Sequence, residues 1–247
     1  MINLFDAHLH IIDPAYPLQM NNGYEPPVFT VSDYEKQRAW HNGGGAVVSG
    51  SFQGFDQTYV TDALRQLGSG YVGVTQLPAT VTAEEVTALH QQGIRALRLN
   101  LYRGGSAELN DLERLADLVY ETAGWHVELY ADARTLADIR PSITRPERIS
   151  IDHLGLHPDG LPALLDLVSN GAAVKATGFG RYQGNPIEAM VQINEENPEA
   201  LMFGTDLPST RAPVPFSDKD IERVQHAFSN SERIFHHNAR RWYRLTD

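Results

Sequence analysis

The chain has 247 residues, of which 42% are hydrophobic, so it can build a packed core and is not a disordered chain. Its formal net charge is −11, from 31 acidic against 20 basic residues, which argues against proteins that bind nucleic acid or anionic membranes. It contains no cysteine, which excludes disulfides, thiolate metal sites and thiol nucleophiles.

Eight short apolar runs are the strands that the sequence predicts, and amphipathic segments separate them along the whole chain. Continuous apolar runs of this kind are typical of strands buried on both faces of a parallel sheet. In chain order the runs are Ile2–His10, Gly45–Phe52, Tyr71–Leu77, Ile94–Leu101, His126–Ala131, Ile149–Leu154, Ala172–Thr177 and Leu201–Asp206.

Helix starts are predicted in several of the segments between the runs. Ser32–Glu35 and Thr82–Glu85 have the spacing of capping boxes, in which a hydroxyl and a carboxylate satisfy the first free N–H groups. Asn110–Glu113 opens a third helix, and Gly124 ends it. The further helical segments are Leu161–Val168, Pro186–Glu196, Ser217–Phe228 and 232–244.

Strands and helices that alternate in this way predict the α/β class and one domain over residues 1–247, a single (β/α)8 TIM barrel. The alternative is an open, doubly wound sheet, which usually has a glycine-rich turn after an early strand. Gly43–Gly45 precedes a strand instead, so we interpret it as a loop. The segments 13–29 and 204–216 are rich in proline and glycine and are expected to cover the barrel mouth.

Polar residues near the ends of the runs are candidates for an active site, because barrel active sites lie at the C-terminal ends of strands. Asp6, His8 and His10 alternate along the first run and are predicted to share one face. Imidazoles and carboxylates can hold a divalent metal, or supply a general base and hydrogen-bond donors. Each residue alone also has a structural interpretation, such as a helix cap at Asp206. The later runs add Arg98, Asn100, Glu128, Tyr130, Asp152, His153, Lys175, Arg181 and Asp206.

Four motifs resemble those of the amidohydrolase superfamily, and most closely its branch of pyrone dicarboxylate and sugar lactonases. They are DAHLH (6–10), DHLG (152–155), GTDLP (204–208) and HHNARRWYRL (236–245). The resemblance implies a hydrolase with a (β/α)8 barrel in which Asp206 accepts a proton from water. It also implies that His8, His10 and His153 surround the substrate carbonyl oxygen. By the same resemblance, the substrate-binding residues are Arg98, Tyr130, Arg181 and Arg103.

Two departures from the family pattern shape the expected cofactor and substrate. The fourth run, Ile94–Leu101, has no lysine to bridge two metals, so no binuclear centre is expected. We expect no required cofactor; a single zinc is the other possibility, with His8, His10, His153 and Asp206 as its ligands. Leu156 stands where the pyrone dicarboxylate lactonase has an arginine, which puts a dicarboxylate substrate in doubt.

The expected function is hydrolysis of a small, anionic lactone by a metal-independent enzyme. One alternative is a mononuclear zinc-dependent decarboxylase, for which His157 is the available additional histidine. Another is a non-catalytic barrel that binds a sugar or an acid. The expected partner is the small-molecule lactone, with no nucleic acid and no membrane. The first residues enter a strand directly and no apolar run approaches the ~20 residues of a membrane span, so a cytoplasmic location is expected.

Overall fold

The computed structural model describes residues 2–245 and has one eight-stranded sheet with the strands in chain order. Every neighbouring pair from the first strand to the eighth is parallel. The predicted (β/α)8 TIM barrel is therefore confirmed. The strands are β1 (Asn3–Leu9), β2 (His41–Val48), β3 (Tyr71–Thr75), β4 (Ile94–Asn100), β5 (His126–Tyr130), β6 (Ile149–Ile151), β7 (Ala173–Ala176) and β8 (Leu201–Phe203).

The seam between β1 and β8 closes differently from the other seams. The backbone bonds that cross it lie beyond the end of β8, where Asp206 N donates to His8 O at 2.7 Å and His10 N donates to Leu207 O at 2.8 Å. The Asp6 carboxylate accepts a further bond from the Thr205 backbone N–H at 2.8 Å. A side chain thus joins the first and last strands where the sheet ladder does not continue.

Helices follow most of the strands and form the outer layer. They are α1 (Val31–Gln37), α2 (Thr58–Leu67), α3 (Ala83–Gln91), α4 (Leu112–Ala123), α5 (Leu136–Ile139), α6 (Leu161–Ser169), α7 (Pro186–Glu196), α8 (Asp218–Ala227) and α9 (Asn238–Trp242). The sequence predicts no helix at two of these positions, the second (α2) and the fifth (α5) in chain order. None of the helices in residues 2–245 is long and apolar enough to cross a membrane.

Helix caps confirm part of the prediction and correct the rest. The capping box at Thr82 and the left-handed Gly124 at the end of α4 are confirmed. The box predicted at Ser32 is wrong, because Thr30 caps α1 and Asp33 completes its box. The expected opening at Asn110 is also wrong, since a 3₁₀ turn precedes α4 and no side chain caps it.

The glycine triplet Gly43–Gly45, interpreted as a loop, lies inside β2. A Cβ on Gly43 would come within 2.8 Å of the Leu4 backbone, and one on Gly44 within 2.0 Å of Gly70 O. The glycines therefore permit close strand contact here, and they do not mark a turn.

A register shift in β1 corrects the predicted face of Asp6. The pairing with β2 is irregular between Leu4 and Leu9, which breaks the alternation of side chains. Asp6 accepts a bond from Tyr34 of α1 at 3.3 Å, on the helix side of the sheet. His8 instead approaches Asp152 inside the barrel.

Candidate active site

A cavity of about 320 Å³ lies at the C-terminal ends of the strands, where barrel sites are expected. Six of the eight predicted site residues line it, and the remaining two, His8 and Asp206, are fully buried and are not among its lining residues. The lining residues are His10, Gly50, Ser51, Phe52, Arg98, Asn100, Arg103, Tyr130, His153, Arg181, Thr210 and Arg211.

Asp206 follows β8 and is held by an ion pair. Its backbone is left-handed, with φ of 60°, which turns the carboxylate inward from the strand end. Arg181 Nε donates to Asp206 Oδ2 at 2.7 Å, whereas Oδ1 lies 3.7 Å from His10 Nε2. Burial raises the pKa of Asp206, but the Arg181 charge outweighs it and holds that pKa well below its usual range. The carboxylate is therefore ionised, and one of its oxygens is not engaged by Arg181.

His8, on β1, and His10, just after it, approach Asp206 from one side. His10 Nδ1 lies 2.7 Å from Val48 O, and because a carbonyl only accepts, Nδ1 carries the proton. The other ring nitrogen, His10 Nε2, faces Asp206 Oδ1 at 3.7 Å. His8 Nε2 lies 3.9 Å from the same oxygen, Oδ1. Burial, followed by the charge of Lys175, lowers the pKa of His8 well below its usual value, so this ring is neutral.

His153 follows β6 in a tight left-handed turn, with φ of 52°. Its Nδ1 lies 2.8 Å from Thr177 Oγ1, and its ring packs against Tyr130 with centroids 4.9 Å apart. Burial lowers the pKa of His153 to about 3 despite the nearby Asp206. His153 is thus a neutral imidazole fixed against the cavity wall.

Arg98 lies on β4 and is 2% exposed, so nearly all of its contacts are within the protein. Its Nε and Nη2 donate to Asp152 Oδ2 at 3.1 and 2.8 Å, and Nη1 donates to Ser49 O at 2.6 Å. The guanidinium also lies 5.2 Å from the centre of the Tyr130 ring. Arg98 therefore borders the cavity, but Asp152 compensates its charge.

A third ion pair lies deeper in the barrel. Lys175 Nζ donates to Glu128 Oε2 at 2.5 Å, and both side chains are fully buried. Tyr243 donates to the other oxygen of Glu128 at 2.5 Å, and His126 lies 3.2 Å from it. Burial raises the pKa of Glu128, but Lys175 and His126 outweigh it and bring that pKa to about 2. Lys175 and Glu128 therefore compensate each other's charge inside the barrel.

Three of the predicted residues also form a set that could hold a metal ion. Ligand atoms of His8, His153 and Asp206 lie within 4.8 Å of one another. Both ring nitrogens of His8 and Oδ1 of Asp206 have no hydrogen-bond partner among residues 2–245. Two imidazoles and a carboxylate suit a single zinc ion. His10, the fourth predicted ligand, is not in this set.

The loops around the cavity contribute further residues, and one histidine changes its interpretation. Arg211, in the loop after β8, lines the cavity, and Asn21, in the loop after β1, binds its side chain. Neither lies in a strand, so no periodic pattern indicated them. His157 accepts a bond from the Asp159 backbone at 3.2 Å, and it does not line the cavity.

Comparisons with known proteins agree with this architecture. A curated 2-pyrone-4,6-dicarboxylate hydrolase from Comamonas testosteroni is 27% identical over 165 residues. That alignment covers 62% of this chain and 52% of the relative, so the match spans about half the length of the relative.

Solved structures match over nearly the whole chain. One, described as a probable 2-pyrone-4,6-dicarboxylic acid hydrolase from Acinetobacter baumannii with citric acid bound, has a TM-score of 0.84. It is 23% identical, and the match covers 99% of this chain and 100% of the other. An Agrobacterium tumefaciens protein has a TM-score of 0.86 at 20% identity, covering 100% and 97% of the two chains. These similarities show the fold.

The family comparison extends across both the barrel and the site. The family described as amidohydrolase matches residues 5–245, a range that includes all the predicted site residues. Because the match spans almost the entire sequence, the chain belongs to the amidohydrolase family.

Proposed function

We propose that the protein is a hydrolase that opens a small anionic lactone, with Asp206 as its general base. Family membership and the hydrolase named among the relatives support this proposal. The observation that carries it is that the two oxygens of the Asp206 carboxylate have different neighbours. Arg181 binds Oδ2, and Oδ1 faces His10, which lines a cavity rich in arginine.

In the proposed reaction, the oxygen of a water molecule bonds to the lactone carbonyl carbon while a water proton moves to Asp206 Oδ1. The ring C–O bond then breaks, and the proton passes to the leaving oxygen, which gives a hydroxy acid or its keto form. His8, His10 and His153 surround the carbonyl oxygen and stabilise its developing charge. A positioned base of this kind contributes ~10²–10⁴ to the rate.

The ion pair between Arg181 and Asp206 supports coupling between substrate binding and basicity. In the free protein, Arg181 keeps the carboxylate ionised and also makes it a weak base. A substrate oxygen that accepts a bond from the Arg181 guanidinium weakens this effect, and the basicity of Asp206 rises when substrate is bound. In this proposal Arg98, Tyr130 and Arg103 complete the substrate contacts.

We further propose that the reaction requires no metal. A zinc ion held by His8, His153 and Asp206 would polarise the carbonyl and lower the pKa of bound water. Exhaustive chelation followed by a lactonase assay tests the requirement, with metal content measured on the same sample. We expect full activity in the chelated protein. Loss of activity that zinc restores would contradict metal independence.

A zinc-dependent decarboxylase is the second candidate, and the metal-binding set of His8, His153 and Asp206 favours it. Such an enzyme needs a further acid or base at the cavity, and His157 instead caps the turn at 158–160. Carbon dioxide release from aromatic and heteroaromatic acids distinguishes this reaction from hydrolysis.

The experiment that tests the main proposal is turnover of a lactone panel at constant pH. The panel contains a neutral lactone, a monocarboxylate lactone and a pyrone dicarboxylate. We expect ring opening, detected by acid release, with kcat/KM highest for an anionic member. No ring opening of any lactone by the correctly folded protein would refute the proposal.

A further inference from the structure

The arginines around the cavity differ in whether a carboxylate compensates them. Asp152 lies 2.8 Å from Arg98, and Asp206 lies 2.7 Å from Arg181. No carboxylate of residues 2–245 lies within 4 Å of the guanidinium of Arg103 or of Arg211, the other two arginines that line the cavity. Two uncompensated positive charges therefore border a small cavity. The four arginines that line it are Arg98, Arg103, Arg181 and Arg211.

Arg211 is fixed in place by neutral groups. Its Nη1 donates to Asn21 Oδ1 at 3.0 Å, and its Nη2 donates to the backbone oxygen of Asn21. The guanidinium carbon lies 4.2 Å from the centre of the Tyr24 ring. These contacts order the side chain without neutralising its charge, so little conformational entropy is lost when it binds an anion.

Asn21 also connects the loops that surround Arg211. Its Nδ2 donates to the backbone oxygen of Arg103 at 3.3 Å, and its Oδ1 accepts a bond from Ser51 Oγ at 3.1 Å. These partners lie in the loops after β4 and β2, while Asn21 and Arg211 lie in the loops after β1 and β8. One amide thus positions four loops relative to the cavity.

The two uncompensated guanidiniums repel each other. Burial lowers the pKa of Arg211, and the charge of Arg103 lowers it further. An anion between them would relieve this repulsion, and a planar carboxylate matches the parallel N–H groups of a guanidinium.

We propose that Arg211, positioned by Asn21, forms with Arg103 a carboxylate-binding subsite at the outer part of the cavity. The proposal rests on the proposed function, because the bound carboxylate belongs to the anionic lactone. Arg211 is then a specificity-determining residue and Asn21 a positioning residue. The substrate class is a lactone whose carboxylate lies on the side away from the carbonyl that is attacked.

Calorimetric binding of glutarate at low ionic strength tests the subsite without requiring turnover. We expect Arg211→Gln to weaken glutarate binding at least tenfold, and Arg211→Lys to weaken it less, because lysine keeps the charge and loses the planar donor pair. Arg114→Gln is the matched control, since Arg114 is an exposed arginine on α4 that pairs with Asp111. Thermal unfolding of each variant shows whether it is folded.

Asn21→Leu separates positioning from simple loop packing. Leucine keeps the approximate size of asparagine and adds no charge, but it removes the amide that holds the Arg211 guanidinium. We expect glutarate binding to weaken at least tenfold relative to the binding of its neutral diamide. If Asn21 acted only by packing the loops, the two ligands would be affected equally.

The outcomes distinguish this subsite from the lactonase proposal. If the wild-type protein binds no glutarate, or if Arg211→Gln binds it as tightly as wild type, the subsite is refuted even when lactones are hydrolysed. If no lactone is hydrolysed but glutarate binding depends on Arg211, the lactonase proposal fails and the anion subsite stands.

Discussion

Replacing Asp206 with asparagine tests the proposed base most directly. The amide keeps the shape of the side chain and removes the proton acceptor, so kcat is expected to fall by ~10²–10⁴, the usual contribution of a general base. The change also converts the charged bond from Arg181 Nε into a bond to a neutral amide oxygen. We expect this loss to lower the unfolding free energy by about 1–2 kcal/mol, because charge-assisted bonds are roughly twice as strong as neutral ones.

Activity and stability are measured on the same preparations of Asp206→Asn and of a control. In a barrel of this size, 1–2 kcal/mol corresponds to about 2–8 °C in Tm, so the variant remains folded at 25 °C. Asp62→Asn is the matched control, because Asp62 is paired with Arg65 on α2, outside the cavity. Asp62→Asn is expected to retain turnover. Near-normal kcat in folded Asp206→Asn would remove Asp206 from the mechanism.

Further predictions concern stability of the buried interior. Lys175→Met is expected to cost ~3–5 kcal/mol in urea unfolding, because the buried Glu128 carboxylate loses its cationic partner. Adding Glu128→Gln should recover part of this loss, and an additive second loss would contradict the pairing. Arg98→Lys is expected to cost ~1–3 kcal/mol by the same assay, since one ammonium cannot reproduce its three bonds, and an unchanged midpoint would refute that role. Burial lowers the pKa of His153 to about 3 in the folded protein. In the unfolded chain this histidine has its ordinary pKa of ~6.5 and binds a proton below that pH. The unfolding free energy should therefore fall as pH drops from about 6.5 towards 3, by up to ~1.4 kcal/mol per pH unit. His153→Asn should show a shallower dependence, and an identical slope would contradict this assignment.

The barrel and much of the cavity could be predicted because the alternation of strands and helices is visible in the local sequence, and eight such units are typical of a closed barrel. Arg98 and Asn100 lie on one face of β4, as the pattern predicts, and both line the cavity. Asp6 departs from the pattern because a register shift changes the direction of its side chain, and a shift has no signature in hydrophobic alternation.

Long-range pairing explains most of the features that the sequence did not reveal. The Arg98–Asp152 and Lys175–Glu128 pairs join residues 54 and 47 positions apart, and nothing in the local sequence selects these partners. The true cap of α1 was also undetermined locally. Thr30–Asp33 and Ser32–Glu35 have the same spacing, and burial of Tyr34 in the core accompanies the first choice.

The seam between β1 and β8 makes the candidate active site depend on barrel closure. Ladder pairing joins every other neighbouring pair of strands, whereas this seam relies on a few bonds beyond β8 and on the Asp6 carboxylate. His8, His10 and Asp206 flank the same seam, so its opening would separate them while most of the sheet remains paired. As denaturant is added, enzymatic activity should therefore disappear before helical circular dichroism does. In hydrogen exchange, the Thr205 and Asp206 amides should be less protected than those in the centre of β4.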